Sequence, residues 1–231
     1  MPAVADPRTL AEFELFHDLL PDELVRLNAL LHRTTFAPGT TLMTEEQPGE
    51  VAYLIIAGTV KVQATEADGT EVVLAIRGRG ELVGELSLLD NLARSASVVT
   101  LEATTCYWID RLAFQTALQA MPRLAYNLLG ILARRLRLAS SQIRALASQD
   151  LYGRVARQVL AFAEVYGQPG ADGSIVIALQ LKQSDLAGLV GASRARVNQV
   201  LGYYRERHYL SLDAHGRIVI HDRPAIEQRC S

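Results

Sequence analysis

The sequence predicts an α+β chain made of an antiparallel barrel, one long helix and a helical C-terminal module, and three patterns predict it. Between residues 35 and 110, short runs of Val, Ile, Leu and Thr alternate with turn signals. After Pro122 the period becomes helical, with apolar residues three and four apart. Beyond Leu181, two short helical segments flank a glycine and lead into paired strand-like runs. At 231 residues and 49% hydrophobic, the chain can bury a sizeable core in one large or two modest domains.

An opening helical stretch is expected over residues 9–32. Within it, Pro21-Asp22-Glu23 suits a first turn, because proline lacks the N–H that would go unbonded and acids favour the positive helix end. Turn signals then recur at Pro38-Gly39, Pro48-Gly49, Ala57-Gly58, Asp68-Gly69 and Gly78-Arg79-Gly80, a spacing that suits a sandwich or barrel. Residues 60–64 and 70–74 alternate with period two about Asp68-Gly69, as a hairpin with one wet face does.

In the long helix, Leu129, Leu132, Leu136, Ala139, Ile143 and Leu146 recur at spacings of 3, 4, 3, 4 and 3, which is a heptad seam. Arg134, Arg135, Arg137 and Arg144 make the other faces polar, so the apolar stripe needs a partner. That partner is either the chain's own barrel or a second copy, and the second copy is the preferred reading. A further helix over residues 151–166 follows a hinge near Ser148-Gln149-Asp150, then a loop over 167–173 and a short strand over 174–179. The boundaries expected are 1–120, 121–149 and 150–231.

Charge separates the two ends. Residues 1–150 carry 13 Lys+Arg against 18 Asp+Glu, whereas 151–231 carry 10 against 7. A basic C-terminal module suggests nucleic acid as a partner. No apolar run reaches membrane-spanning length, and the N-terminus lacks a basic segment followed by an apolar core, so a soluble cytoplasmic protein without a membrane partner is expected. Cys106 and Cys230 are too few for a disulfide framework or a four-cysteine metal or iron–sulfur site. His17, His32, His208, His215 and His221 lack metal-ligand spacing, and no P-loop or nucleophile elbow appears. No catalytic residue, metal ligand or cofactor is therefore expected, and the chain is read as no enzyme.

Two constellations carry chemistry. The first is the segment from Gly84-Glu85-Leu86 through Arg94-Ser95, a glycine and acid leading a short apolar turn, with arginine and hydroxyl nine and ten residues after the acid. These groups suit a cyclic sugar phosphate. A guanidinium fork meets phosphate oxygens with directional, charge-assisted bonds, a carboxylate accepts from a ribose hydroxyl, and glycine lets backbone approach closely. The alternative is that Glu85 and Arg94 pair with each other and brace the barrel.

The second spans residues 181–201. A short helix with apolar Leu186, Leu189 and Val190 ends at Gly191, and Ser193 can cap a second helix whose inward face is Val197, Val200 and Leu201. Arg194, Arg196, Asn198 and Gln199 lie near the start of that second helix, the end that enters a major groove, and can pair with guanine or adenine edges. Residues 209–212 and 217–220, joined by Asp213-Ala214-His215-Gly216, form a wing hairpin. An ordinary helical hairpin with a solvated basic face is the alternative.

The first segment resembles the phosphate-binding cassette of the catabolite activator/FNR (Crp/Fnr) family of transcription regulators, and residues 53–60 match the strand, glycine turn and strand that precede it there. The resemblance covers nearly the whole chain. It implies an N-terminal cyclic-nucleotide-binding barrel of the jelly-roll, or double-stranded β-helix, type, a dimerisation helix and a C-terminal winged helix-turn-helix. It further implies that cyclic AMP is the effector, with Glu85 on the ribose 2'-hydroxyl, Arg94 and Ser95 on the phosphate, Gly84 and Leu86 in the same cassette, and Arg135 supporting Glu85 or the phosphate. Gln183, Ser193 and Arg194 fall at DNA-contact positions, Gln183 at the backbone. The partners implied are a second copy, a pseudo-palindromic double-stranded DNA operator read in major grooves about 34 Å apart, and RNA polymerase.

Two departures bear on this. The family's catabolite activator presents threonine and serine to adenine, whereas here the pair is Ala139-Ser140, which removes a hydrogen bond of about 1 kcal/mol and leaves Ser140 to act across the dimer. Ala195 stands where the family often has a glutamate, with Arg196 next, so the operator is expected to differ. The remaining readings are a regulator of the same family answering to cyclic di-GMP, to another signal or to none, and a cyclic-nucleotide-binding or hydrolysing protein that leaves DNA alone.

Overall fold

The opening segment is broken where one helical stretch is expected. The computed structural model describes residues 7–66, 71–170, 172–179 and 181–230. Helix α1 covers Pro7–Leu10, a 3-10 turn covers Glu14–Phe16, and α2 runs Pro21–Leu30, while His32 already belongs to a strand. The break has a local cause: Asp18 is left-handed (φ 59°), Leu20 is extended, and Pro21 starts a new helix. Glu23 folds back to accept from the Leu20 N–H at 2.8 Å, which satisfies a donor at the helix start.

Eight strands follow: β1 His32–Phe36, β2 Thr41–Met43, β3 Val51–Ala57, β4 Val60–Thr65, β5 Glu71–Arg77, β6 Leu82–Val83, β7 Ser97–Thr100 and β8 Thr104–Asp110. They form two four-stranded sheets, ordered β1-β8-β3-β6 and β2-β7-β4-β5. The central strand β3 is covered on both faces. Ile55 and Tyr53 point into the barrel beside Met43, Val60, Val98 and Cys106. Ala52 and Leu54 point to a second core shared with helices. The Asp68-Gly69 turn lies outside the described residues. The clean alternation expected of β4 and β5 is not found: Val60 and Gln63 are buried in one, Val73 and Ile76 in the other. Val60 and Val62 face the barrel core with period two, and Gln63 on the other face of β4 is buried as well, so that strand is covered on both faces.

Between β6 and β7 lies a single-turn helix, α3 Leu86–Asp90. After β8 come α4 Arg111–Ala120, whose first turn is capped by the Asp110 carboxylate, and α5 Pro122–Ser148. Leu124 and Leu128 of α5 join Phe13, Phe16, Leu27 and Phe114 in the helical core. Asn127 donates to the carbonyls of Leu15 and His17 at 3.1 and 2.8 Å, tying the opening segment to α5. Along the expected seam, Leu132 is half-buried against that core, but Leu129, Leu136 and Ile143 are 64%, 69% and 67% exposed.

The remainder comprises α6 Leu151–Tyr166, β9 Gly167–Pro169, β10 Ile175–Ile177, α7 Gln183–Leu189, α8 Arg194–Glu206, β11 Leu210–Leu212, β12 Ile218–Ile220 and α9 Arg223–Glu227. Asp150 accepts from Gly153 N at 2.8 Å and starts α6 afresh after α5. The segment 167–173 is not wholly a loop: Gly167–Pro169 pairs antiparallel with Ile175–Ile177 at one edge of a sheet ordered β11-β12-β10-β9. Backbone pairing needs no apolar signature, and an edge strand tolerates a proline. Ala171 of that segment lies outside the described residues. Packing groups the described residues of 1–65 and 76–138 in one unit and those of 66–75 and 139–231 in another. Among the described residues, no helix is long and apolar enough to cross a membrane.

Candidate functional site

Gly84 leaves β6 with φ +81°, and a Cβ there would stand 2.7 Å from both the Arg94 Nη1 and the Met43 side chain. Only glycine fits this passage without strain. Glu85 then opens α3, its carbonyl accepting from Leu88 and Leu89 at 3.1 Å each. Leu88 is fully buried and anchors the turn, whereas Leu86 is exposed. Asn91, left-handed at φ 59°, ends the helix and lets the chain double back to Arg94.

Arg94 is buried, 6% exposed. Its Nη1 donates to Gly84 O at 2.6 Å and Ser87 Oγ at 2.7 Å, and its Nη2 to Val51 O at 2.6 Å. Main-chain bonds to Gln47 O and from Glu46 N, both 2.9 Å, fix its backbone. All of these side-chain acceptors are neutral, and burial lowers the guanidinium's proton affinity. Among the described residues no carboxylate pairs with Arg94. Ser95 beside it is exposed.

Glu85, 3% exposed, pairs instead with Arg135 of α5: Nη1 to Oε1 is 2.7 Å. The direct Glu85–Arg94 brace is therefore absent from this geometry. Arg135 Nη2 also donates to Leu82 O at 2.6 Å and lies 3.9 Å from Glu81, which pairs with Arg77 at 3.1 Å and accepts from Gly78 N at 3.0 Å. Burial raises the Glu81 carboxyl, against the pull of Arg77 and Arg135, and lowers Arg135. Sequence reading passed over Ser87, Glu81 and Arg77. Ser87 lay inside the cassette, and the four-residue spacing of Arg77 and Glu81 was an available signal. Ser140 is exposed on α5 and belongs to the other packing unit.

In that other unit, α7 and α8 meet through a turn at Gly191, φ +62°. Ser193 caps α8 by accepting from Arg196 N at 3.4 Å. Val197, Val200, Leu201 and Tyr204 are buried, and the Tyr204 hydroxyl donates to Tyr152 O at 2.8 Å, bolting α8 to α6. The opposite face leaves Arg194, Arg196, Asn198 and Gln199 exposed together in the first two turns. Gln183 is the first residue of α7, half-exposed. The wing forms as β11 and β12, where Asp213 accepts from His215 N, Arg217 N and Arg217 Nε at 2.9, 2.9 and 2.7 Å. The two constellations thus present different chemistry: a buried cation beside a buried acid in the barrel, and an exposed row of forked donors on a helix.

Comparison with known proteins agrees with this division. Residues 33–121 match the cyclic nucleotide-binding domain, and residues 153–229 match the Crp-like helix-turn-helix domain. The chain is 34% identical over 221 residues to a CRP-like cAMP-activated global transcriptional regulator of Mycobacterium tuberculosis, covering 95% of this chain and 97% of that one. Among solved structures, FixK2 of Bradyrhizobium japonicum superposes with TM-score 0.78 at 18% identity, covering 87% of this chain and 98% of that one, a likeness of fold. The c-di-GMP responsive global regulator CLP of Xanthomonas campestris superposes with TM-score 0.68 at 25% identity, covering 87% and 98%.

Proposed function

The chain belongs to the Crp/Fnr family of DNA-binding transcription regulators, and we propose that it is a cytoplasmic homodimer switched by cyclic AMP in its barrel. Its parts are a sensor domain over residues 1–120, a dimerisation helix over 121–149 and a DNA-binding domain over 150–231. The observation that carries the reading is Arg94, a buried guanidinium that meets only neutral acceptors. A cyclic phosphate supplies a directly bonded negative charge, with Ser95 adding a hydroxyl and Gly84 and Leu86 lining the approach. Glu85 accepts from the ribose 2'-hydroxyl while still held by Arg135, so a pull on the ligand's sugar reaches α5.

Ligand binding then shifts the population of dimers toward the form that fits DNA. Two copies joined along the seam of α5 present two α8 helices to a pseudo-palindromic operator. Arg194, Arg196, Asn198 and Gln199 read base edges, and Gln183 and Ser193 hold the backbone. RNA polymerase is the further partner of such a regulator. No catalytic step is assigned, and hydrolysis of added cyclic nucleotide would overturn that.

A second reading, cyclic di-GMP as effector, draws support from Ala139 in place of an adenine-binding threonine and from the likeness to the CLP regulator. Calorimetric titration with cyclic AMP, cyclic GMP and cyclic di-GMP separates the two, with Arg94→Ala as control. Saturable cyclic AMP binding that weakens more than tenfold in the variant is expected. Binding of cyclic di-GMP alone favours the second reading, and binding of none makes Arg94 a structural clamp.

A further inference from the structure

The last turns of α5, Arg157 of α6 and Cys230 line an open cleft of about 580 Å³ within one packing unit. Its wall carries Arg144, Arg157, Ser141, Ser148 and Gln149, and among the described residues no carboxylate lines it. Arg157 is held by neutral acceptors only: Gln149 Oε1 at 3.1 Å, Ser141 Oγ at 3.2 Å and the Cys230 carbonyl at 3.1 Å. Arg144 is exposed, and among the described residues no acid pairs with either guanidinium.

Arg144 and Arg157 both line this cleft, and an anion placed in it gains from both positive charges. We infer that this cleft binds a small phosphate-bearing anion, separate from the barrel ligand. Its size suits a phosphate ester or pyrophosphate, for which pockets run from roughly 300 Å³ upward. Forked N–H groups and serine hydroxyls are the donors that phosphate oxygens take.

The position also leaves the cleft open in a dimer. Ser141, Arg144, Ala145 and Ser148 recur on one face of α5, about half a turn round the helix from Ile143 and Leu146 of the seam. An anion shared by Arg144 on α5 and Arg157 on α6 spans the Ser148-Gln149-Asp150 corner and restrains the angle between the two helices.

The test is calorimetric titration of the full chain with inorganic pyrophosphate at low ionic strength, repeated on Arg144→Gln and on Arg137→Gln. Arg137 is another exposed arginine of α5 that does not line the cleft, and the two variants change net charge alike. Saturable binding weakened at least tenfold by Arg144→Gln and less than twofold by Arg137→Gln is expected, with unchanged melting temperatures for both variants without the anion. Absence of saturable binding, or equal weakening by the two variants, overturns the proposal.

Discussion

Arg94 is a buried ion and Glu81 a half-buried one, and they answer to different neighbours. Removing an ion from water costs several kcal/mol unless its bonds are replaced, and Arg94 recovers three of them from Gly84, Ser87 and Val51, with Glu85 and Glu50 acting on it only at longer range. That arrangement depends on Gly84. Gly84→Ala places a Cβ 2.7 Å from Nη1 at φ +81°, and a loss of about 1–3 kcal/mol in unfolding free energy is expected, together with weaker cyclic-nucleotide binding. Urea denaturation and the same titration check both. Glu81 works in the other direction. Its carboxyl lies above the ordinary 4.5 because burial outweighs Arg77 and Arg135, so the folded chain binds that proton more tightly than the unfolded chain. The stability this gives is full below the unfolded value and is lost as pH rises through the raised one. Glu81→Gln cannot ionise, and its stability relative to the parent should therefore climb in urea midpoints as pH rises above the ordinary carboxylate range. A flat difference across that rise would show that the ion pairs with Arg77 and Arg135 fully compensate the burial.

At the scale of elements, what could be read from sequence is what side-chain pattern controls. The helix-turn-helix was legible because Gly191, Ser193 and the inward Val197, Val200 and Leu201 each carry a local signal of their own. The edge strand Gly167–Pro169 carried none, since its bonds to β10 are main-chain bonds made by residues with turn propensity. The break near Asp18 did carry a signal, the Pro21-Asp22-Glu23 first turn, but the expected stretch ran through it. The site divides in the same way. Glu85, Arg94 and Arg135 were visible as charges at telling positions, but the bond between Glu85 and Arg135 joins residues 50 apart and follows from packing. Helix α5 shows how pattern and packing share one element: Leu124 and Leu128 feed the core of their own unit, and Leu129, Leu136, Ile143 and Leu146 are left facing out. Leu136→Glu sets two carboxylates against each other in a paired seam, at a position 69% exposed and outside the helical core cluster. Sedimentation should show a monomer at concentrations where the parent is a dimer, and operator affinity should fall with it, because two half-sites are no longer held by one particle. An unchanged dimer would move the interface off this seam.

For the whole molecule, the claim that ligand controls DNA binding is a claim about coupling free energy, and coupling is reciprocal. If cyclic AMP tightens operator binding by some factor, operator must tighten cyclic AMP binding by the same factor, typically 5–150-fold, or about 1–3 kcal/mol. Anisotropy with and without nucleotide gives one factor, and calorimetry with and without a selected operator gives the other, both at one fixed salt concentration because phosphate contacts make affinity salt-dependent. Arg135 is where the two measurements become informative about mechanism. Its guanidinium joins Glu85 of the proposed ligand cassette and the Leu82 carbonyl of the barrel to α5, the helix that carries the proposed seam. Arg135→Gln keeps a donor but loses the charge that holds Glu85, so it should weaken cyclic AMP binding and also shrink the coupling factor toward one. Ligand-free operator affinity should stay within about twofold of the parent. A variant that loses ligand affinity yet keeps the full factor would make Arg135 a part of the binding site alone, and the signal to DNA would then have to leave the barrel by another contact.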